Sequence, residues 1–155
     1  MKFSLSQPEL SRLAGLAGNV VPGKSTLPIL STLLVRADKE GVLVAATDLD
    51  ISIQLRTEAA VEKAGSVAVP AKRFADIVRK LEAVDVHLET ADGALAIRCG
   101  RASFRIPTMP VEDYPKLPET KDIEAFAAPA GVLKSMIRRT RFAVSTDLAR
   151  PSMNP

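Results

Sequence analysis

The chain has 155 residues, 46% apolar and 25% charged, the make-up of a soluble globular protein about one domain long and able to bury a sizeable core. A formal net charge of +3 and a pI near 9.2 are only mildly basic, so attraction for a polyanion has to come from clustered charge. Five phenylalanines, one tyrosine and no tryptophan leave few platforms for stacking single-stranded bases, and a lone cysteine (Cys99) and a lone histidine (His87) exclude an internal disulfide and a His-rich metal site.

The opening Met1-Lys2-Phe3-Ser4-Leu5 lacks the apolar stretch of a signal peptide, and no apolar run approaches the roughly 20 residues of a membrane span. With a single cysteine, these features place the protein in the cytoplasm, away from any membrane. Ser6 to Val20 is predicted to be a helix, because Ser6 and Glu9 stand at capping-box spacing and Leu10, Leu13, Ala14 and Ala17 recur at helical intervals. Leu33 to Arg36, Val42 to Ala46 and Ile51 to Arg56 then read as strands.

The same skeleton returns at Val67, where Phe74, Ile77, Val78 and Leu81 repeat the apolar offsets after Pro70 opens a second helix. Val86 to Leu88, Leu95 to Arg98 and Ser103 to Ile106 supply the strands that come after it. A third unit begins at Phe126, with Leu133, Met136, Ile137 and Thr140 at the matching positions, giving a period of about sixty residues. The fold class is therefore α+β: a mostly antiparallel sheet with two helices on one face, built from two similar strand-helix-strands halves.

Residues 1–110 make the first domain by this reading. Four prolines, Pro107, Pro110, Pro115 and Pro118, mark 107–122 as an extended connector, and 123–155 hold the start of a second domain, a strand plus a helix. The apolar face of that helix has no further strands to pack on, so the chain is expected to be a fragment of a longer repeated protein, with a partner chain covering the helix as the alternative.

The cations recur with the repeat. Lys72, Arg73, Arg79 and Lys80 lie opposite the apolar face of the second helix, and Lys134, Arg138 and Arg139 do the same on the third. Arg12 on the first helix and Lys24 in the loop beyond it complete the set. A solvated face explains one such helix, but Asp76 is the only acid among the second helix's cations, and recurrence in every unit points to phosphate binding. Flexible lysines and arginines beside small residues do not suit base readout, so contact with duplex DNA is expected to be independent of sequence.

Several patterns mimic catalysis. Gly18 to Ser25 matches G-x-x-x-x-G-K-[ST], and Val42 to Asp48 resembles a strand ending in a Walker-B acid, which makes a P-loop-like nucleotide-binding protein the alternative reading. A P-loop needs a strand before it and a helix after it, yet here a helix precedes the glycines and Pro28 falls where the following helix should propagate. Asp48 and Asp50 read as turn residues, His87 lies in a strand with no motif around it, and Cys99 reads as a small core residue. No catalytic residue, metal site or cofactor is expected.

Met1-Lys2-Phe3, Thr26-Leu27-Pro28-Ile29-Leu30, Thr47-Asp48-Leu49-Asp50, Val69-Pro70-Ala71-Lys72-Arg73-Phe74 and Met109-Pro110-Val111-Glu112-Asp113-Tyr114-Pro115 together resemble the bacterial sliding clamp, the beta subunit of DNA polymerase III. The resemblance covers the whole chain as that family's first domain and the start of its second. It implies a DNA-clamp fold, a homodimeric ring whose helices line a pore around duplex DNA, and a role as processivity factor for DNA polymerase III, with a clamp loader supplying the ATP chemistry. It further implies that Arg12, Lys24, Lys72, Arg73, Arg79 and Lys80 lie on or near the pore wall, and Phe104 and Ile106 near the intersubunit edge. Where the family continues Arg-Tyr-Tyr-Leu-Asn-Gly, this chain reads Arg150-Pro151-Ser152-Met153-Asn154-Pro155. The resemblance thus implies an amino-terminal fragment that does not close a ring alone, and an interaction fragment that caps full-length clamps is a further alternative.

Overall fold

The computed structural model of the chain describes residues 1–118 and 127–144. They belong to two units, Met1–Pro118 and Glu119–Pro155.

In the first unit, β1 (Lys2–Ser6) leads into helix α1 (Gln7–Gly18), and a one-turn 3-10 helix at Pro28–Ser31 precedes β2 (Thr32–Asp38), β3 (Gly41–Thr47), β4 (Ser52–Thr57) and β5 (Ala60–Lys63). The second half repeats the plan with β6 (Gly65–Pro70), helix α2 (Ala71–Lys80), β7 (Asp85–Ala91), β8 (Ala94–Cys99) and β9 (Ala102–Pro107). Every pairing is antiparallel, and the strands form two sheets, ordered β5-β1-β7-β8-β9 and β4-β3-β2-β6.

The halves exchange their leading strands. β1 lies beside β7, with Phe3 opposite Leu88, while β6 lies beside β2, with Val69 opposite Leu33. Each sheet is thereby completed by the other half.

One core unites both sheets and both helices. Leu10 and Leu13 of α1 and Phe74 and Val78 of α2 are fully buried against Phe3, Val35, Val44, Leu88, Ile97 and Ile106. Each such side chain contributes about 1.5–3 kcal/mol by leaving water. The apolar run of β3 is buried at every position, because its alternate residues serve two cores. Val42, Val44 and Ala46 face the helices, whereas Leu43 and Ala45 join Leu34, Ala68 and Ile29 on the opposite face.

That opposite face is covered by the proline-rich segment itself. Met109 donates its amide to the Ala68 carbonyl at 2.9 Å, Tyr114 is buried, and Met109, Val111 and Leu117 pack around it. Gln54 Nε2 reaches the Pro118 carbonyl at 3.0 Å. The segment through Pro118 is thus a strap over the smaller sheet.

The capping box read at Ser6 and Glu9 is not built. Ser6 takes the last register position of β1, opposite Asp85, and makes no side-chain cap, while Glu9 is taken by Arg12. Strand β5 carries no clear sequence signal, because Ala60-Val61-Glu62-Lys63 has one large apolar residue.

The second unit contains helix α3 (Ala130–Thr140), followed by a 3-10 turn at Arg141–Ala143. The strand anticipated at Phe126 lies outside the described residues. Leu133, Met136 and Ile137 are each at least half exposed. Among the described residues, no helix is long and apolar enough to cross a membrane.

Candidate nucleic-acid interface

Helices α1 and α2 lie side by side and run in opposite directions. At one end Gln7 Nε2, itself buried, donates to the Val78 carbonyl at 2.8 Å; at the other, Gly18 and Asn19 of α1 share a groove with Ala71 and Lys72 of α2. Small residues on both helices, Ala14, Gly15, Ala71 and Ala75, keep this groove open at about 490 Å³. Gly23 of the following loop lines it too, and Lys72 and Arg79 stand along it.

A second groove of about 670 Å³ runs on the other flank of α2, lined by Lys72, Arg73, Ile77, Lys80 and Phe104 of β9. All four cations of α2 are exposed, while Phe74 and Val78, on the opposite side of the same helix, are sealed in the core. Amphipathicity alone produces this sorting.

The remaining predicted residues differ in availability. Lys24 is exposed in the loop immediately after Gly23. Arg12 is exposed but occupied: its Nε and Nη2 donate to the two Glu9 carboxylate oxygens at 2.8 and 2.6 Å. The hydrogen bond from Arg12, with a smaller one from Thr57 and then the Arg12 charge, outweighs desolvation and holds the Glu9 carboxyl down at about 2. Sequence reasoning overlooks that pairing, although the i,i+3 spacing of Glu9 and Arg12 is there to signal it. Lys134, Arg138 and Arg139 are exposed on α3 in the second unit.

Phe104 and Ile106 both lie on β9, the edge strand of the larger sheet, and share one face by strand periodicity. Phe104 is 41% exposed, but Ile106 is 0% exposed, a member of the core. The Ile106 side chain is thus enclosed by its own chain, while its backbone lies on the edge strand β9.

The glycine-rich match at Gly18–Ser25 has none of the architecture of a P-loop. Gly18 ends a helix, residues 20–27 form turns and bends, and the next regular element is the short 3-10 turn at Pro28. The glycines do not lead into the α-helix whose first N–H groups a P-loop uses to hold phosphate. Asp48 builds a turn, its Oδ1 accepting from the amides of Asp50 and Ile51 at 3.1 and 2.7 Å. Cys99 is buried, with its thiol toward the Glu82 carbonyl at 3.6 Å.

A doubled strand-helix-strands domain, closed by exchange of leading strands, with two antiparallel helices side by side and a row of four exposed cations on the second, is a domain of the DNA-clamp class. The chain belongs to the DNA polymerase III beta subunit family, whose N-terminal domain model matches residues 1–118. It is 35% identical over 151 residues to the beta sliding clamp of Chlamydia pneumoniae, a match covering 97% of this chain and 41% of that protein. Among solved structures, the DNA polymerase sliding clamp of Bacillus subtilis superimposes with a TM-score of 0.92 at 32% identity, covering 97% of this chain and 42% of that one. The Caulobacter crescentus pol III beta structure gives 0.88 at 34% identity, with 97% and 41% covered. The chain thus spans about two fifths of the length of these relatives.

Proposed function

We propose that this chain contributes part of the helix-lined wall of a ring that encloses duplex DNA and tethers a replicative polymerase to it, as a non-catalytic, cytoplasmic processivity factor. The observation that carries the reading is the exposed row Lys72, Arg73, Arg79 and Lys80 on α2, beside α1 and the Lys24 loop, on a helix whose other face is buried. Lysine and arginine side chains of this kind bind phosphates electrostatically and carry no base code.

Enclosure explains why a modest charge suffices. A closed ring cannot dissociate sideways, so its phosphate contacts need only be transient, and transient contacts permit sliding. In this assembly Lys24, Lys72, Arg73, Arg79 and Lys80 face the duplex, with Lys134, Arg138 and Arg139 serving the same role in the next unit, and Arg12 a lesser contact because Glu9 already neutralises it. Phe104, on the exposed edge of β9, meets a second subunit. DNA polymerase III and a clamp loader are the proposed partners, the loader supplying the ATP hydrolysis. The same edge makes capping of full-length clamps the second reading.

The test is a salt titration of the chain with short duplexes of unrelated sequence. Affinity should fall linearly with the logarithm of salt, with one slope for every duplex. Sequence-dependent affinity, or binding indifferent to salt, would overturn the proposal.

A further inference from the structure

Asp76 occupies a singular place on α2. Its four helical neighbours, at the i−4, i−3, i+3 and i+4 positions, are Lys72, Arg73, Arg79 and Lys80, so every cation of the helix adjoins the same carboxylate. Asp76 also lines both grooves that flank the helix. Its carboxylate does not close a tight ion pair: Arg79 Nη2 stands 3.9 Å away, with the two side chains 71% and 51% exposed. Arg12 on α1 shows the contrast, gripped by both oxygens of Glu9.

We infer that Asp76 sets the strength of the DNA hold: it keeps four like charges together on one helix while subtracting one unit from their attraction for phosphate. This rests on the proposed DNA role and adds a residue that opposes binding. Four unopposed cations within two turns repel one another and, facing a duplex, neutralise one phosphate more. A loose, exposed carboxylate at their centre shares itself among them without locking any one. Each cation stays free to exchange between phosphates, the condition a sliding contact requires.

The experiment compares the wild-type chain with Asp76→Asn, Asp76→Glu and the charge-balanced double variant Asp76→Asn/Arg79→Gln. Two quantities are read: the salt dependence of binding to a short duplex, and the melting temperature. Asp76→Asn is expected to bind several-fold tighter at low salt, with a log–log slope steeper by about one unit. Its melting temperature should fall by about one or two degrees, since favourable helix pairs are lost. Asp76→Glu should restore both values, and the double variant should return the slope to that of the wild type.

A purely structural carboxylate predicts otherwise. Melting temperature would fall in Asp76→Asn with affinity and slope unchanged or weakened, and that result overturns the inference while leaving the DNA role standing. A wild-type chain with no salt-dependent binding overturns the DNA role itself, and the inference with it.

Discussion

Tyr114 Oη donates a hydrogen bond of 3.4 Å to the Ala45 carbonyl, fastening the proline-rich strap to the middle of β3 across 69 positions of sequence. Burial pushes the phenol up to about 12. An unfolded tyrosine titrates near 10, so the folded state holds the proton longer. The stabilisation this gives is complete below about pH 10 and is lost as pH rises through about 12. Because Tyr114 is the only tyrosine, the ultraviolet absorbance of phenolate reports it alone. A folded-state midpoint near 10 would show that the strap does not bury this ring.

The same contact makes the strap part of the domain's stability. Tyr114→Phe should cost about 1 kcal/mol through the lost hydrogen bond. Tyr114→Ala should cost about 3 kcal/mol through the cavity beneath the strap. Urea denaturation measures both, and equal small losses would mean the strap is dispensable.

Phe104 and Ile106 should part company on mutation, although sequence periodicity gives them one face. Ile106→Ala removes a fully enclosed side chain and should destabilise by about 3 kcal/mol. Phe104→Ala, at the open end of β9, should cost less than about 1 kcal/mol. Comparable denaturation midpoints for the two variants would contradict the burial described for Ile106.

Replacing Lys72 and Arg73 together by glutamate should weaken duplex binding and flatten its salt slope by about two units. Arg12→Ala should change the slope less than Arg79→Ala does, because Arg12 is held by two short hydrogen bonds to Glu9 while Arg79 has only a 3.9 Å approach to Asp76. An unchanged slope in the Lys72/Arg73 variant would count against α2 as the contact surface.

Lys24 separates the phosphate-contact reading from the nucleotide reading. Lys24→Ala should reduce the DNA salt slope by about one unit, while isothermal titration of the wild type with ATP should detect no micromolar binding. Saturable ATP binding abolished by Lys24→Ala would reinstate the P-loop alternative.

Much of this architecture is legible in the residues, and the failures have identifiable causes. Helices α1 and α2 announce themselves through Leu10, Leu13, Phe74 and Val78 at helical intervals, which the core then buries. The cation row is readable because the face opposite a buried stripe is determined by the 3.6-residue turn. Two sheets with exchanged strands are not, since the pairing of Phe3 with Leu88 leaves no local mark. The strap reads as a connector because Met109, Val111, Tyr114 and Leu117 keep no regular period, although each apolar side chain finds the outer face of β2 and β3. Ser6 and Glu9 mislead because a capping box is only a pattern, and Arg12 offers Glu9 two stronger donors than the helix amide does.

The swap of leading strands bears on how the molecule is made. Thr90 donates its amide to the Met1 carbonyl, so the strand at the start of the domain finds this neighbour only after most of the domain has left the ribosome. Until β7 emerges, β1 presents a bare row of hydrogen-bonding groups, and β2 does the same until β6 arrives. Half of this repeat is an open template instead of a smaller protein, and a nascent chain stalled before residue 85 is the form most exposed to pairing with the wrong partner.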